Sequence, residues 1–300
     1  MSVVGGIDKL YISFSASLPL DTLIERLFIR LSLKQFERHD GGGNYYRMRH
    51  SLKAGGQTLV NVYSQPRNSD RKLYRNDRNL VAINGLALSD SALNGLRPHP
   101  NYPNDSALDL QHLCNAIIDL GGHVTQLDCY LDDIGCNHLD IEHLIHDLSR
   151  PRSYKLNIRS NLIKDINGRS NPPRPVGTGC YYGVKNFTQA LLYRKDSSPH
   201  QGIFTKDNPL KYQHIRFEMR FRKLQARKIG QEIIEGIAYL GCSFAEKQPV
   251  SVTQVTAAVI TKYFNFIKRT GTNKHRAALE PSWKAFIDAG LAANADIARV

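Results

Sequence analysis

The residues able to do chemistry fall in three short stretches. The first, VTQLDCYLDD (124–133), alternates as a strand: Val124, Leu127, Cys129 and Leu131 are mainly the apolar set, and Gln126, Asp128, Tyr130 and Asp132 form the other face. A carboxylate in mid-strand is unusual, because Asp is depleted in strands. The second, QHIRFEMRFR (213–222), sets Ile215, Phe217, Met219 and Phe221 against His214, Arg216, Glu218, Arg220 and Arg222, one acid on an arginine-rich outer face. The third carries Tyr193 followed by Arg194 and Lys195, two cations that favour a phenolate and can contact phosphate.

Spacing limits what these groups can do together. Asp128 and Asp132 stand four residues apart, about 13 Å at ~3.3 Å per residue. One hard cation cannot bridge that gap with oxygen bonds of about 2.1–2.5 Å. Neighbouring strands lie ~4.8 Å apart, so Asp128 and Glu218 share an ion only if their strands are adjacent or nearly so. Asp132 and Asp133 are expected past the strand's end, serving through a bend or a water. A divalent cation (Mg²⁺ or Mn²⁺) held by carboxylates suits phosphoryl transfer. The attacking group is then water or a side chain. Tyr193 ranks first, with Tyr182 and then Tyr181 behind it, near Lys185. The plainer alternatives are an ion-pair ladder on an open sheet face and tyrosines that only pack.

The chain has 300 residues, 40 Lys and Arg against 27 Asp and Glu, and a formal net charge of +13, which points to polyanionic partners. Candidate nucleic-acid contacts are Arg216, Arg220 and Lys185, a polar loop with Arg67, Arg71, Lys72, Arg75 and Arg78, and the C-terminal Lys268, Arg269, Lys274 and Arg276. Five widely spaced cysteines without a CxxC signal neither a zinc module nor a disulfide framework. No apolar run of about 18 residues and no basic-then-apolar leader occurs, so no membrane partner is expected. P-loop, HEXXH, GxSxG, C2H2 and His-hydrophobic-His patterns are absent.

Periodicity predicts strands at 7–15, 45–52, 57–64, 79–86, 123–132, 154–159, 180–185, 189–195 and 213–222. Helices are predicted at 20–33, 106–120, 139–148, 224–240, 250–267 and 282–291. The fold class is α+β, antiparallel sheets flanked by helices. Two strand–helix–strand halves, 7–86 and 123–222, build a catalytic domain over 1–228, and 229–300 forms a helical, basic C-terminal region.

Taken in order, these stretches resemble the Rep-trans replication initiation factors, the rolling-circle initiators of small plasmids and some filamentous phages. VTQLDCYLDD resembles their R-[I/V]-D-x-x-x-D strand, GCYYGVKN their Y-[Y/I]-G-S-R strand, LLYRKD their [I/V]-Y-[D/N/E]-K strand and IRFEMRFR their R-[V/F]-E-[L/F] strand. INGLAL (83–88) resembles the upstream [I/V]-S-G strand. Gln126 stands where the family usually has Arg, and Arg194 intrudes between Tyr193 and Lys195. The resemblance implies an HUH-like palm without the histidine motif and a divalent cation on Asp128 and Glu218. It implies a tyrosine that attacks origin DNA, leaving a 5′-phosphotyrosine link and a free 3′-OH. Origin DNA in duplex and single-stranded form, a homodimer, a host helicase and the cytoplasm of a bacterial host go with it. Two other functions fit the same residues: a DNA-binding regulator without catalysis, and a metal-dependent nuclease that uses water. Convergence of the acids with a tyrosine hydroxyl separates them.

Overall fold

The computed structural model describes residues 3–28, 31–41, 45–54, 56–67, 78–88, 110–140, 144, 154–156, 174–176, 179–184, 188–194, 214–240, 251–268 and 277–293. In chain order the elements are β1 (Val3–Ser15), α1 (Leu20–Leu27), β2 (Glu37–Asp40), β3 (Tyr46–Ala54), β4 (Gln57–Pro66), β5 (Arg78–Asn84) and a single helical turn, α2 (Gly85–Leu88). There follow α3 (Leu110–Asp119), β6 (His123–Ile134), β7 (Tyr154–Leu156), β8 (Arg174–Val176), β9 (Gly179–Val184), β10 (Thr188–Arg194) and β11 (His214–Arg222). The last are α4 (Lys223–Ala238), α5 (Val252–Tyr263), β12 (Phe264–Phe266) and α6 (Pro281–Leu291). The fold is α+β with antiparallel strand pairing, as the alternation predicts.

The chain divides into two compact units. Unit A is Ile7–Asp128 with Lys223–Leu240, and unit B is Met1–Gly6, Cys129–Arg222 and Gly241–Val300. This cut differs from the expected 1–228 and 229–300. The helix after β11 belongs with the first half of the chain, and the C-terminal segment belongs with the strands that carry the chemistry.

In unit A the strand order is β2-β3-β4-β5-β1, followed by the start of β6. One face is mainly apolar: Leu10, Ile12 and Phe14 of β1, Val81 and Ile83 of β5, and Val60 and Val62 of β4 are all buried, with His50, Ser64 and Asn79 buried among them. Period-two alternation puts them on one side, and the buried Leu23, Ile24 and Leu27 of α1 and Leu113 and Ile117 of α3 supply the helical stripes of the same core. Helix α1 is shorter than its apolar run suggests. It stops at Leu27 because Phe28 turns extended, and Ser32 with Gln35 forms a capping box that starts a 3-10 turn over Leu33–Gln35. At the other end of the unit, Gln111 Nε2 donates to the Ala238 and Leu240 carbonyls, both at 3.1 Å, satisfying acceptors that a helix end leaves open.

In unit B the second half of β6 is followed by β11-β10-β9-β8, and β12 pairs with β7 in a separate two-stranded ladder. The expected helix over 250–267 is divided: α5 ends at Tyr263, and Phe264–Phe266 is extended. The reason is an aromatic core. Phe217 of β11 lies 4.9 Å from Phe264 and 4.7 Å from Trp283 between ring centroids, and Phe266 lies 5.0 Å from Trp283. Extended backbone points Phe264 and Phe266 so that both are fully buried, and Trp283 donates its indole N–H to Asn265 Oδ1 at 3.1 Å. Such ring pairs contribute about 0.5–1.5 kcal/mol each beyond the area that they bury. The C-terminal segment is therefore core of unit B.

Strands β9 and β10, both predicted from periodicity, pair antiparallel with Tyr182 opposite Ala190 and Tyr181 opposite Leu191. Gly183 makes the geometry possible: its φ is +84°, and a Cβ there would stand 2.5 Å from the Thr188 carbonyl oxygen.

Candidate active site

Register decides which side chains meet. Strand β10 pairs β11 with Tyr193 opposite Arg216 and Leu191 opposite Glu218, and β9 places Tyr181 opposite Leu191. Directly opposed residues share a sheet face. Tyr193, Arg216, Leu191, Glu218 and Tyr181 are therefore on one face. Arg220, two residues beyond Glu218, joins them.

On that face the Tyr193 hydroxyl donates to Glu218 Oε2 at 3.1 Å, and Arg220 Nε donates to Glu218 Oε1 at 2.6 Å. The carboxylate is buried, with 2% of its side chain exposed, whereas Arg220 is 31% exposed. Beside this trio, Arg216 Nε and Nη2 donate to the two oxygens of Asp132 at 2.7 and 2.8 Å. The guanidinium carbon of Arg216 lies 3.7 Å from the ring centroid of Tyr130, a cation–π contact. Burial pulls the Arg216 pKa down, but the charge and hydrogen bonds of Asp132, with smaller contributions from Tyr193 and Tyr130, push it well above the usual arginine value.

Several expectations are corrected. The strand 124–133 is not half-buried: from Leu127 to Asp133 every residue except Tyr130 is buried, and β6 continues to Ile134, so Asp132 and Asp133 lie within the strand. Arg216 and Glu218 are on no outer face, being 3% and 1% exposed. Arg216 is thus a buried ion-pair partner rather than a surface contact to DNA, while Arg220 keeps partial exposure. Asp133 is structural: its oxygens accept backbone N–H groups from Asn137, His138 and Leu139 at 3.2, 2.9 and 2.7 Å, which fixes the turn after β6.

The tyrosines also sort by face. Tyr182 is fully buried among the core rings, 5.5 Å from Phe264 and 5.3 Å from Phe266, because it opposes Ala190 on the apolar side. Its place behind Tyr193 passes to half-buried Tyr181. Arg194 opposes Ile215, so it projects to the face opposite Tyr193. The guanidinium facing Tyr193 across the strands is that of Arg216. Lys195, Lys185, Arg269, Lys274 and Arg276 lie outside the described residues, as does most of the basic loop between Arg67 and Arg78. Lys268 is exposed. Tyr130 was missed as a site residue, although the period-two alternation that marked Asp128 and Asp132 also marks it.

The donor set bears on the expected cation. Asp132 does not fit as a ligand, since each of its oxygens accepts from Arg216. Glu218 does fit: each of its oxygens accepts one of these hydrogen bonds, and a carboxylate offers about four lone-pair directions. Among the described residues no group of three or more His, Cys, Asp or Glu stands together. A Mg²⁺-like ion that keeps its waters and leans on substrate phosphates needs only one or two protein carboxylates. Asp128, the last residue of unit A's part of β6, is buried at 3% exposure.

The fold as described is similar to a solved structure, the rolling circle replication initiator protein from Geobacillus stearothermophilus, with a TM-score of 0.64 over 98% of each chain and 18% sequence identity. At that identity the likeness shows the fold. No protein-family model matches the chain, and comparison with curated proteins finds no match. Among the described residues no helix is long and apolar enough to cross a membrane.

Proposed function

We propose that this protein initiates rolling-circle replication by nicking origin DNA with Tyr193. The observation that carries the reading is the hydrogen bond from the Tyr193 hydroxyl to buried Glu218. The full-length likeness in fold to a rolling circle replication initiator supports it.

A phenol has a pKa near 10 and is a poor nucleophile at neutral pH. Glu218 accepts its proton as the phenolic oxygen attacks the scissile phosphorus. An O–P bond forms to Tyr193, the bond between phosphorus and the 3′ oxygen breaks, and the leaving oxygen takes a proton from water. The products are a 5′-phosphotyrosine and a free 3′-OH. Reversal of the same transesterification rejoins strands, because the phosphodiester energy is kept. Arg216, held rigid by Asp132 and Tyr130, places a permanent positive charge opposite Tyr193 while the phenolic oxygen gains negative charge. Partly exposed Arg220 is available to the phosphate itself.

Glu218 would hold a divalent cation, Mg²⁺ or Mn²⁺, which when bound polarises a phosphate oxygen. Origin DNA is the substrate in this reading, and a second copy of the chain and a host helicase are its expected partners. The test is a labelled origin oligonucleotide incubated with protein and Mg²⁺ or Mn²⁺, then denatured. A covalent protein–DNA band is expected. Cleavage without a band would replace the reading with a nuclease that uses water, and binding without cleavage would replace it with a DNA-binding regulator.

A further inference from the structure

Unit A has a second sheet face that the chemistry above does not use. Its register is set by paired residues: His39, Arg49, Tyr63, Leu80 and Ser13 lie opposite one another across β2, β3, β4, β5 and β1. The adjacent row runs Glu37, Ser51, Asn61, Ala82 and Tyr11. The residues between them on each strand, such as Ile12, Val62 and Val81, point to the apolar face and are fully buried. On the second face Tyr11, Tyr63, His39 and Arg49 are half-buried, and Arg47, two residues before Arg49, is exposed. Two tyrosine rings thus stand beside Arg47 and Arg49, and among the described residues the acid on this face, Glu37, is paired with Lys53, at 2.7 Å, and with His39.

We propose that this face binds single-stranded DNA, with bases stacked on Tyr11 and Tyr63 and phosphates drawn to Arg47 and Arg49. Stacking on aromatic side chains along a basic surface is how proteins hold single strands without reading sequence. Tyr11 on β1 and Tyr63 on β4 have β5 between them and are offset by one row. That spacing is roughly 10–12 Å, from strand separations of ~4.8 Å and a rise of ~3.3 Å per residue. It suits splayed bases, one to each ring, and does not suit a duplex, whose bases are stacked on each other at ~3.4 Å. The Tyr63 pKa is pushed up by burial first and by the neighbouring Tyr11 phenol second, against the opposing effect of Arg49, so this ring is neutral at physiological pH. A neutral ring beside a guanidinium suits a base below a phosphate. The inference rests on the proposed function only for the choice of DNA, since a nicked origin exposes a single strand that must be held.

The experiment uses the full chain and a short fluorescent oligo(dT) that carries no origin sequence, followed by anisotropy. Wild type is expected to bind it, with log K falling by about 0.7 per neutralised phosphate as log salt rises. Tyr11→Ala and Tyr63→Ala should each weaken binding at least about five-fold, while Tyr11→Phe and Tyr63→Phe, which keep the ring, stay near wild type. Melting temperatures of all four variants show that the sheet is intact, and the Phe variants report on the rings even if an Ala variant unfolds. A duplex of equal length should bind the Ala variants as it binds wild type. The proposal is overturned if wild type does not bind oligo(dT), if folded Ala variants bind it as wild type does, if the Phe variants lose it too, or if duplex and single strand weaken equally. Failure of nicking would show separately, as a missing covalent band with oligo(dT) binding retained.

Discussion

Arg216 meets both carboxylate oxygens of Asp132, at 2.7 and 2.8 Å, with 4% and 8% of the two side chains exposed. Removing one partner from such a pair leaves a buried charge uncompensated, which costs about 3–5 kcal/mol, whereas replacing both by apolar groups of similar volume is often neutral. Asp132→Ala is therefore expected to lower the unfolding free energy by about 3–5 kcal/mol in a urea titration. The double variant Asp132→Leu with Arg216→Met should recover most of that loss. It should stay impaired in adduct formation, because the charge opposite Tyr193 is gone. A double variant that nicks normally would show that the pair serves the fold alone.

Glu218 accepts from Tyr193 and Arg220. Glu218→Gln preserves shape and one acceptor oxygen but cannot take a proton. General-base catalysis contributes about 10²–10⁴-fold, and adduct formation should fall by that order in single-turnover assays. DNA binding should hold, because Glu218 is buried beneath Arg220. An unchanged rate would remove Glu218 from the proton path.

Gly183 ties backbone geometry to the site. Any Cβ at a φ of +84° is strained, and this one would also press on the Thr188 carbonyl. Gly183→Ala is expected to destabilise the protein by more than about 1 kcal/mol, since the native conformation is incompatible with alanine. Because Gly183 lies in the β9–β10 ladder that carries Tyr181 and Tyr193, adduct yield should fall with it. Chemical denaturation and the denaturing-gel assay, run on one preparation, check both.

His50 gives a pH dependence. Burial first, then the charges of Arg38 and His39, lower its pKa below the ordinary histidine value, with Asp21 opposing. A group whose folded pKa is depressed binds protons more readily when unfolded. Stability is then fully present above the unfolded pKa of about 6.5 and is lost as pH falls through it toward the folded value. Wild type should therefore lose melting temperature between about pH 7 and pH 5, and His50→Gln should lose less. Equal losses in the two proteins would contradict this assignment.

The alternating stretches were legible because a strand with one polar and one apolar face writes its period into the sequence, so β10 and β11 emerged within a residue or two of their observed bounds. Tyr193 and Glu218 were legible as separate residues. Their meeting was not, because it depends on the pairing of β10 with β11, and pairing is not encoded by period alone. The same gap hid the partner of Arg216. An arginine in an alternating strand reads as solvent-facing until the strand beside it supplies Asp132. The tail was misread for a related reason. Phe264 and Phe266 continue an apolar run that also fits a helix, and only the rings of Phe217 and Trp283 make the extended form better. Asp133 shows the reverse case, an acid whose environment of three backbone N–H groups is local and still invisible without the turn's geometry.

The most direct measurement is the covalent band itself, compared across Tyr193→Phe, Tyr181→Phe and Tyr182→Phe on a labelled single-stranded origin oligonucleotide. The hydroxyl facing Glu218 is that of Tyr193, while Tyr182 is packed among the core rings. Tyr193→Phe is expected to bind DNA as wild type does and to form no adduct, and the other two variants are expected to keep it. An adduct that survives in Tyr193→Phe and disappears in Tyr181→Phe or Tyr182→Phe would contradict the assignment of the nucleophile, and a wild type that cuts without any adduct would contradict the mechanism.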